Sequence, residues 1–191
     1  IDFTMKKTIF ITGATSGIGK ATAEVFAKQG HRLIICGRRK EVLDNLQIQL
    51  SNFTDVYSLV FDVRNQQEVQ NAINSLPEDW KNIDVLVNNA GNAHGLEPIS
   101  DANISDWDAM MDGNVKGLLY VSQPIIKLMK ANNSGHIVNI SSVAARQTYA
   151  NGTVYCASKK AVDVISEGMR LELTEFGIKV TNVQPGAVET D

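Results

Sequence analysis

Short apolar runs rich in valine and isoleucine alternate along this chain with longer segments in which apolar and polar positions mix. The runs are Thr8–Thr12, Arg32–Cys36, Val56–Phe61, Val85–Asn88, His136–Ile140 and Lys179–Val183. They are continuous instead of alternating, the pattern of parallel strands covered on both faces. The segments between them predict helices near Ile18–Gln29, Lys40–Leu50, Gln66–Ser75, Asp106–Ala131 and Val154–Phe176. Gly30 and Gly177 stand where helices should stop, and Ser105-x-x-Asp108 has the form of a capping start. Pro124 falls inside the fourth segment and predicts a kink there. This alternation predicts an α/β fold, a doubly wound parallel sheet with helices on both faces. No repeat, low-complexity tract or linker is visible, so residues 1–191 read as a single domain.

Composition narrows the function classes. With 191 residues, 43% hydrophobic and 20% charged, the chain can bury a real core. Its formal net charge of −3 gives no electrostatic reason to expect nucleic acid or an anionic membrane as a main partner. No apolar run approaches the ~18–20 residues of a membrane span. The start, Ile1 through Lys7, lacks the apolar stretch of a signal peptide, and Met5 is a candidate native start. Cys36 and Cys156 make no disulfide framework; Cys36 reads as a small buried hydrophobe, and Cys156 points away from its neighbour Tyr155 on a helix. His31, His94 and His136 are scattered, so no metal site is predicted. A cytoplasmic location is expected.

Two stretches carry chemistry. Thr12-Gly13-Ala14-Thr15-Ser16-Gly17-Ile18-Gly19 follows the first strand and opens the first helix, the context a dinucleotide fingerprint requires. Glycines let the backbone turn sharply and approach a pyrophosphate, whose charge meets the amides and dipole of the helix N-terminus. The fold expected is therefore Rossmann-type. At the far end of the chain, Tyr155 and Lys159 lie four positions apart, on one helical face. A phenol is a poor base at neutral pH, with a pKa near ~10. A nearby ammonium stabilises the phenolate, and a serine hydroxyl such as Ser142 can hydrogen-bond a substrate oxygen. The second strand ends in Arg38-Arg39, where an acid would bind the ribose hydroxyl of NAD. Guanidinium groups bind phosphate in a forked, charge-assisted manner, which favours NADP; the alternative is a solvated basic pair opening the next helix.

Together with Asn88-Asn89-Ala90-Gly91 and Pro185-Gly186, these motifs resemble, in order and over nearly the whole chain, the short-chain dehydrogenase/reductase family. The resemblance implies that Gly13, Ser16, Gly17, Ile18 and Gly19 form the phosphate loop, and that Asp62 and Val63 hold the adenine. It places Asn89 and Gly91 beside the adenine ribose, while Asn88 ties strand ends together. Pro185, Gly186, Val188 and Thr190 would contact the nicotinamide amide and pyrophosphate. The family's serine stands thirteen residues before the tyrosine, which selects Ser142 over Ser141. Ser142, Tyr155, Lys159 and Asn114 would be catalytic, with Asn114 supporting a water chain to the lysine. In the family a further strand and a substrate-covering lid follow Pro-Gly; the chain stops at Asp191, so that C-terminal strand and lid are expected to be missing.

The stretches Asp62-Val63-Arg64-Asn65, Leu76 through Trp80, Ala144-Ala145-Arg146, Tyr149 through Gly152 and Pro185 through Thr190 are similar to the NADP-dependent serine/3-hydroxy-acid dehydrogenase branch. Ala145 departs from the glycine usual in relatives. The resemblance implies hydride transfer between NADP and a secondary alcohol or its carbonyl, with a short 3-hydroxy acid such as serine as the small-molecule partner. A 3-ketoacyl or broad carbonyl reductase is the alternative, and a nucleotide sensor without chemistry a third reading. Arg146 either meets a substrate carboxylate alongside Ser142 and Tyr155 or is a surface residue. Met110, Met111, Leu118, Leu119 and Val121 on one helix, with Val162, Val164 and Ile165 on another, look too apolar to cover only the sheet. In the family such helices pair across a two-fold axis, which implies a homodimer or homotetramer.

Overall fold

The six apolar runs become six parallel strands, β1 Thr8–Ile11, β2 Arg32–Gly37, β3 Val56–Val60, β4 Val85–Asn88, β5 Gly135–Ile140 and β6 Ile178–Val183. The structure is a computed structural model, and residues 6–189 are described. Met5 and Thr190 lie outside them. The strand order is β3-β2-β1-β4-β5-β6. Between strands run α1 Gly17–Lys28, α2 Lys40–Leu50, α3 Gln66–Asn74, α4 Ile104–Met111, α5 Gly117–Ala131 and α6 Thr153–Leu173.

The lack of alternation in the strand sequences has a direct cause. Side chains along a strand point to opposite faces. Ile9, Ile11, Leu33 and Ile35 pack with Ala23 and Ala27 of α1 and Leu43 and Leu46 of α2. Phe10, Ile34, Leu86 and Ile137 face the other way, onto Val69 of α3, Ile125 and Met129 of α5 and Val162 of α6. At β1, β2 and β4 both faces are dry, so both must be apolar; the edge strand β6 instead alternates, with Lys179, Thr181 and Val183 exposed.

The fourth predicted helix differs from expectation. It begins at Ile104, because the Asn103 side chain accepts a hydrogen bond from the Ser105 N–H at 3.0 Å; Ser105 is inside the helix and is not its cap. It then divides into α4, a π-helical turn at Asp112–Lys116, and α5. The break was expected at Pro124, yet α5 runs through that residue. The predicted fifth helix ends at Leu173 and closes with a single 3-10 turn, Thr174–Phe176. Gly177 stops it at φ 66, a left-handed conformation that side chains rarely adopt.

Of the residues expected to form an assembly face, Met110, Leu118, Val121 and Val162 are buried in the core instead. Met111, Leu119 and Val164 are exposed. Among the described residues no helix is long and apolar enough to cross a membrane.

Candidate active site

The chain crosses over in opposite directions from β1, to β2 on one side and to β4 on the other. A crevice opens at the carboxyl ends of such strands. Here it is a cleft of about 470 Å³ that runs from Arg38 and Arg39 past the glycine loop to Ser142, Tyr155 and Lys159. Gly13, Ser16, Gly17, Ile18, Asp62, Val63, Asn89, Gly91, Pro185, Gly186 and Val188 also line it.

The loop after β1 is shaped for close approach. Gly13 and Gly17 have φ of 64 and 52, and a Cβ on Gly13 would come within 2.9 Å of the Ala90 backbone. Gly19 does not line the cleft. A Cβ there would collide with the Gly13 carbonyl and the Asn89 amide, so this glycine lets the first turn of α1 pack against the loops that follow β1 and β4. Asn89 braces the same loop, donating to the carbonyls of Thr12 and Gly13 at 3.0 and 3.1 Å. Ser16 makes no side-chain cap, and α1 has no acid in its first turn, whereas α2, α3 and α4 carry Glu41, Glu68 and Asp106 there. That terminus is thus left positive toward the cleft.

At the β2 end, Arg39 donates to the Thr15 hydroxyl at 2.9 Å, and Arg38 lies 3.7 Å from the Asp62 carboxylate. Arg64 grips Asp62 with Nε at 3.0 Å from both oxygens and Nη2 at 2.6 Å from one. Burial raises the Asp62 pKa, but the Arg64 hydrogen bonds and charge and the Arg38 charge outweigh it, and the carboxyl titrates below its ordinary range.

The opposite end is buried and tightly hydrogen-bonded. Ser141 and Ser142 separate as strand alternation requires. Both border the cleft, but the Ser141 hydroxyl is taken up by the Lys159 carbonyl and Asp163, whereas the Ser142 hydroxyl accepts from the Ala144 N–H at 3.1 Å. Tyr155 and Lys159 share one face of α6, with the ammonium 5.9 Å from the phenol ring centre. Lys159 is 7% exposed, and its ammonium donates to the Ile140 carbonyl at 3.0 Å. Burial lowers its pKa to about 8.

Asn114 sits in the π turn, fully enclosed behind Gly91. Its amide donates to the Asn92 carbonyl and Ser158 hydroxyl, and its Oδ1 accepts from the Asn92 N–H. A Cβ on Gly91 would lie 2.9 Å from that Oδ1 and 3.5 Å from the Lys159 ammonium, so both groups flank one glycine.

Arg146 is not brought to this constellation: it is exposed and absent from the cleft lining. Asn88 links β4 to β5 and α5 through Asn139 and Ser122, each at 2.9 Å. Cys156 is buried. Among the described residues no group of three or more histidine, cysteine or acidic side chains is placed to hold a metal ion. Sequence reasoning missed Arg64 and Thr15, which join the cleft wall, and Asp163. The Asp62-Val63-Arg64 turn was visible, but only the fold turns its guanidinium back onto the carboxylate.

Comparison with known proteins agrees with this geometry. The family model described as short chain dehydrogenase matches residues 7–191. The NADP-dependent 3-hydroxy acid dehydrogenase YdfG of Escherichia coli is 42% identical over 180 residues, covering 94% of this chain and 72% of that protein. Sulfoacetaldehyde reductase 2 of Chromohalobacter salexigens is 41% identical over 188 residues, covering 98% of this chain and 75% of that protein. The closed form of serine dehydrogenase complexed with NADP+ superposes with a TM-score of 0.90 at 41% identity, covering 95% of this chain and 73% of that one.

Proposed function

The chain belongs to the short-chain dehydrogenase family, and from that premise we propose that it is an NADP-dependent oxidoreductase acting on the CH–OH group of a short 3-hydroxy acid such as serine. The observation that carries this is the joining, in one cleft, of Ser142, Tyr155 and Lys159 at one end with Arg38 and Arg39 at the other. A nucleotide sensor has no need of the first group.

NADP fits the residues present. Gly13 and Gly17 hold the loop in left-handed backbone turns beside the cleft, the α1 terminus has no side-chain cap, and two guanidinium groups line the far end, where they would meet a 2′-phosphate. Asp62 and Val63 would hold the adenine and Asn89 would lie beside its ribose; Gly91, expected beside that ribose, lies against Lys159, so with Pro185, Gly186 and Val188 it would border the nicotinamide side. When bound, the cofactor supplies the hydride acceptor or donor.

The protein's share is proton handling and positioning. In oxidation Tyr155, as phenolate, removes the hydroxyl proton of the substrate. Ser142 hydrogen-bonds the same oxygen as its charge changes. Lys159 would stabilise the phenolate from the buried wall behind it and would hold the nicotinamide ribose. Asn114 anchors the relay that carries the proton away from Lys159. In reduction each proton step reverses. General acid–base help of this kind is worth about 10²–10⁴-fold, and orientation supplies much of the rest.

A second reading rests on Arg146. Among the described residues of the cleft, the arginines are Arg38, Arg39 and Arg64, all at the end away from Tyr155. Without an arginine for a carboxylate beside Tyr155, where Lys159 serves the phenol and the ribose, the site would suit a broader range of carbonyl compounds. The exposed Met111, Leu119 and Val164 support assembly of the subunits into a homodimer or homotetramer, and two free buried cysteines suit a cytoplasmic protein.

The test is absorbance at the reduced-nicotinamide band. Serine, allo-threonine and 3-hydroxybutyrate should reduce NADP, and alcohols of similar size without a carboxylate should be much poorer. Equal rates on both would favour the broad carbonyl reductase, and no reduction with any of them would leave the sensor.

A further inference from the structure

Asp163 follows Lys159 by four residues and so lies on the same face of α6, one turn further from Tyr155. Its carboxylate collects three neutral donors. The Ser141 hydroxyl and the Asn182 amide reach Oδ1 at 2.8 and 2.7 Å, and the Gln184 amide reaches Oδ2 at 2.8 Å. The nearest cation, Lys160, is 4.0 Å away and largely exposed.

The three donors are not scattered. Ser141 is the residue before Ser142. Asn182 and Gln184 are two apart, on one face of β6 and its extension, and Gln184 leads directly into Pro185-Gly186. The backbone ties the same pieces: the Ser141 N–H donates to the Val183 carbonyl at 2.8 Å, and the Val143 N–H to the Pro185 carbonyl at 3.0 Å. Ser142 therefore sits in a short bridge whose two ends are fixed to the Pro-Gly strand, and Asp163 pins both to the helix that carries Tyr155 and Lys159.

From this juxtaposition we propose that Asp163 is a positioning residue that sets the distance between the Ser142 hydroxyl, the Pro185-Gly186 loop and the Tyr155/Lys159 face of α6. This rests on the oxidoreductase reading above. An ionised carboxylate accepts at both oxygens, so it can hold all three donors at once. Hydrogen bonds to a charged acceptor are also about twice as strong as neutral ones. The donors in turn keep this carboxyl ionised: burial raises its pKa, but the hydrogen bonds from Gln184, Asn182 and Ser141 more than reverse that. Asp163 does not line the cleft. Its effect travels through Ser141 and Gln184, and it is confined to the nicotinamide end, because none of its partners contacts Arg38, Arg39 or Asp62.

That confinement gives the test. Asp163→Ala, Asp163→Asn and Gln184→Ala would be compared with wild type for kcat on a 3-hydroxy acid, and for affinity toward NADP and toward 2′,5′-ADP, which occupies only the adenosine end. Misplacing reacting groups by about 1 Å can cost on the order of 100-fold. Asp163→Ala should lose about 10- to 100-fold in kcat while holding 2′,5′-ADP within twofold of wild type. Asp163→Asn should recover much of the loss, since its oxygen still accepts and Gln184 can turn its own amide to pair with the new one. Gln184→Ala, which leaves the carboxylate intact, should lose at least threefold and serves if Asp163→Ala does not fold.

Turnover of Asp163→Ala within twofold of wild type would overturn the proposal, as would a parallel loss of 2′,5′-ADP binding or an Asp163→Asn no better than alanine. Gln184→Ala at wild-type rate would overturn it too. Wild-type protein that binds no NADP would instead overturn the oxidoreductase reading on which it stands.

Discussion

The two ends of the cleft are built on different physics. At the adenosine end, charges stand in water: Arg38 has 64% of its side chain exposed, and its contact with Asp62 is a loose 3.7 Å. At the nicotinamide end, Lys159 and Asn114 are 7% and 2% exposed, and their polar atoms are held at 2.8 to 3.0 Å. An exposed guanidinium can select a phosphate without distorting the fold. A proton relay needs fixed distances and a dry wall, because charge interactions weaken in water. Substitutions at the first end should therefore change which cofactor binds, and those at the second should change how fast it reacts.

The largest effect expected is from Tyr155→Phe. The ring still packs but the proton is gone, so turnover should be abolished while NADP affinity, measured by calorimetry, stays within a few-fold. A variant retaining a tenth of wild-type activity would break the distinction at its catalytic end.

Lys159→Met should lose both turnover and cofactor affinity, yet the cofactor-free protein should become more stable at neutral pH. Burial brings this ammonium to about 8 from an ordinary 10.5. Between those values the unfolded chain holds the proton that the folded one releases, so wild-type stability rises with pH from about 8 to 10.5 and is lower below that window. Removing the charge should relieve roughly 3 kcal/mol near pH 7. Chemical denaturation at pH 7 and 10 checks this: the gap between variant and wild type should narrow at the higher pH.

Neutral replacement of Arg38 and Arg39 should weaken NADP far more than NAD. Each charge-assisted contact is worth about 1.5–3 kcal/mol, with the lower figure expected at so exposed a site. Calorimetric titration with both cofactors reads the difference, and an unchanged preference would make these arginines plain surface residues. Arg146→Ala should have the smallest effect. If its side chain reaches a substrate carboxylate, the Michaelis constant rises for hydroxy acids and stays level for uncharged alcohols; if it remains at the surface, neither moves.

What the sequence made legible follows from how local each signal is. The central strands β1, β2 and β4 were readable because both faces of the sheet are dry there. Alternation left Ser141 and Ser142 as alternatives, and the choice of Ser142 came from the family resemblance, whose serine stands thirteen residues before the tyrosine. The π turn at Asp112–Lys116 was not readable, since its reasons come from distant chain: Gly117 packs under Val63, and Asn114 bonds across to Asn92 and Ser158. Pro124, the obvious local breaker, drew the expected kink to the wrong place. Asp163 gave no signal, because its three partners lie 19 to 22 residues away and meet it only after β5, α6 and β6 have packed. Arg146 lies in a loop, where spacing fixes no direction.

The claim that the two ends act separately is tested most directly by kcat at saturating NADP in the Arg38→Ala/Arg39→Ala double variant. The Michaelis constant for NADP should rise steeply while kcat on a 3-hydroxy acid stays within a few-fold of wild type. A kcat that falls as far as the Michaelis constant rises would contradict the account.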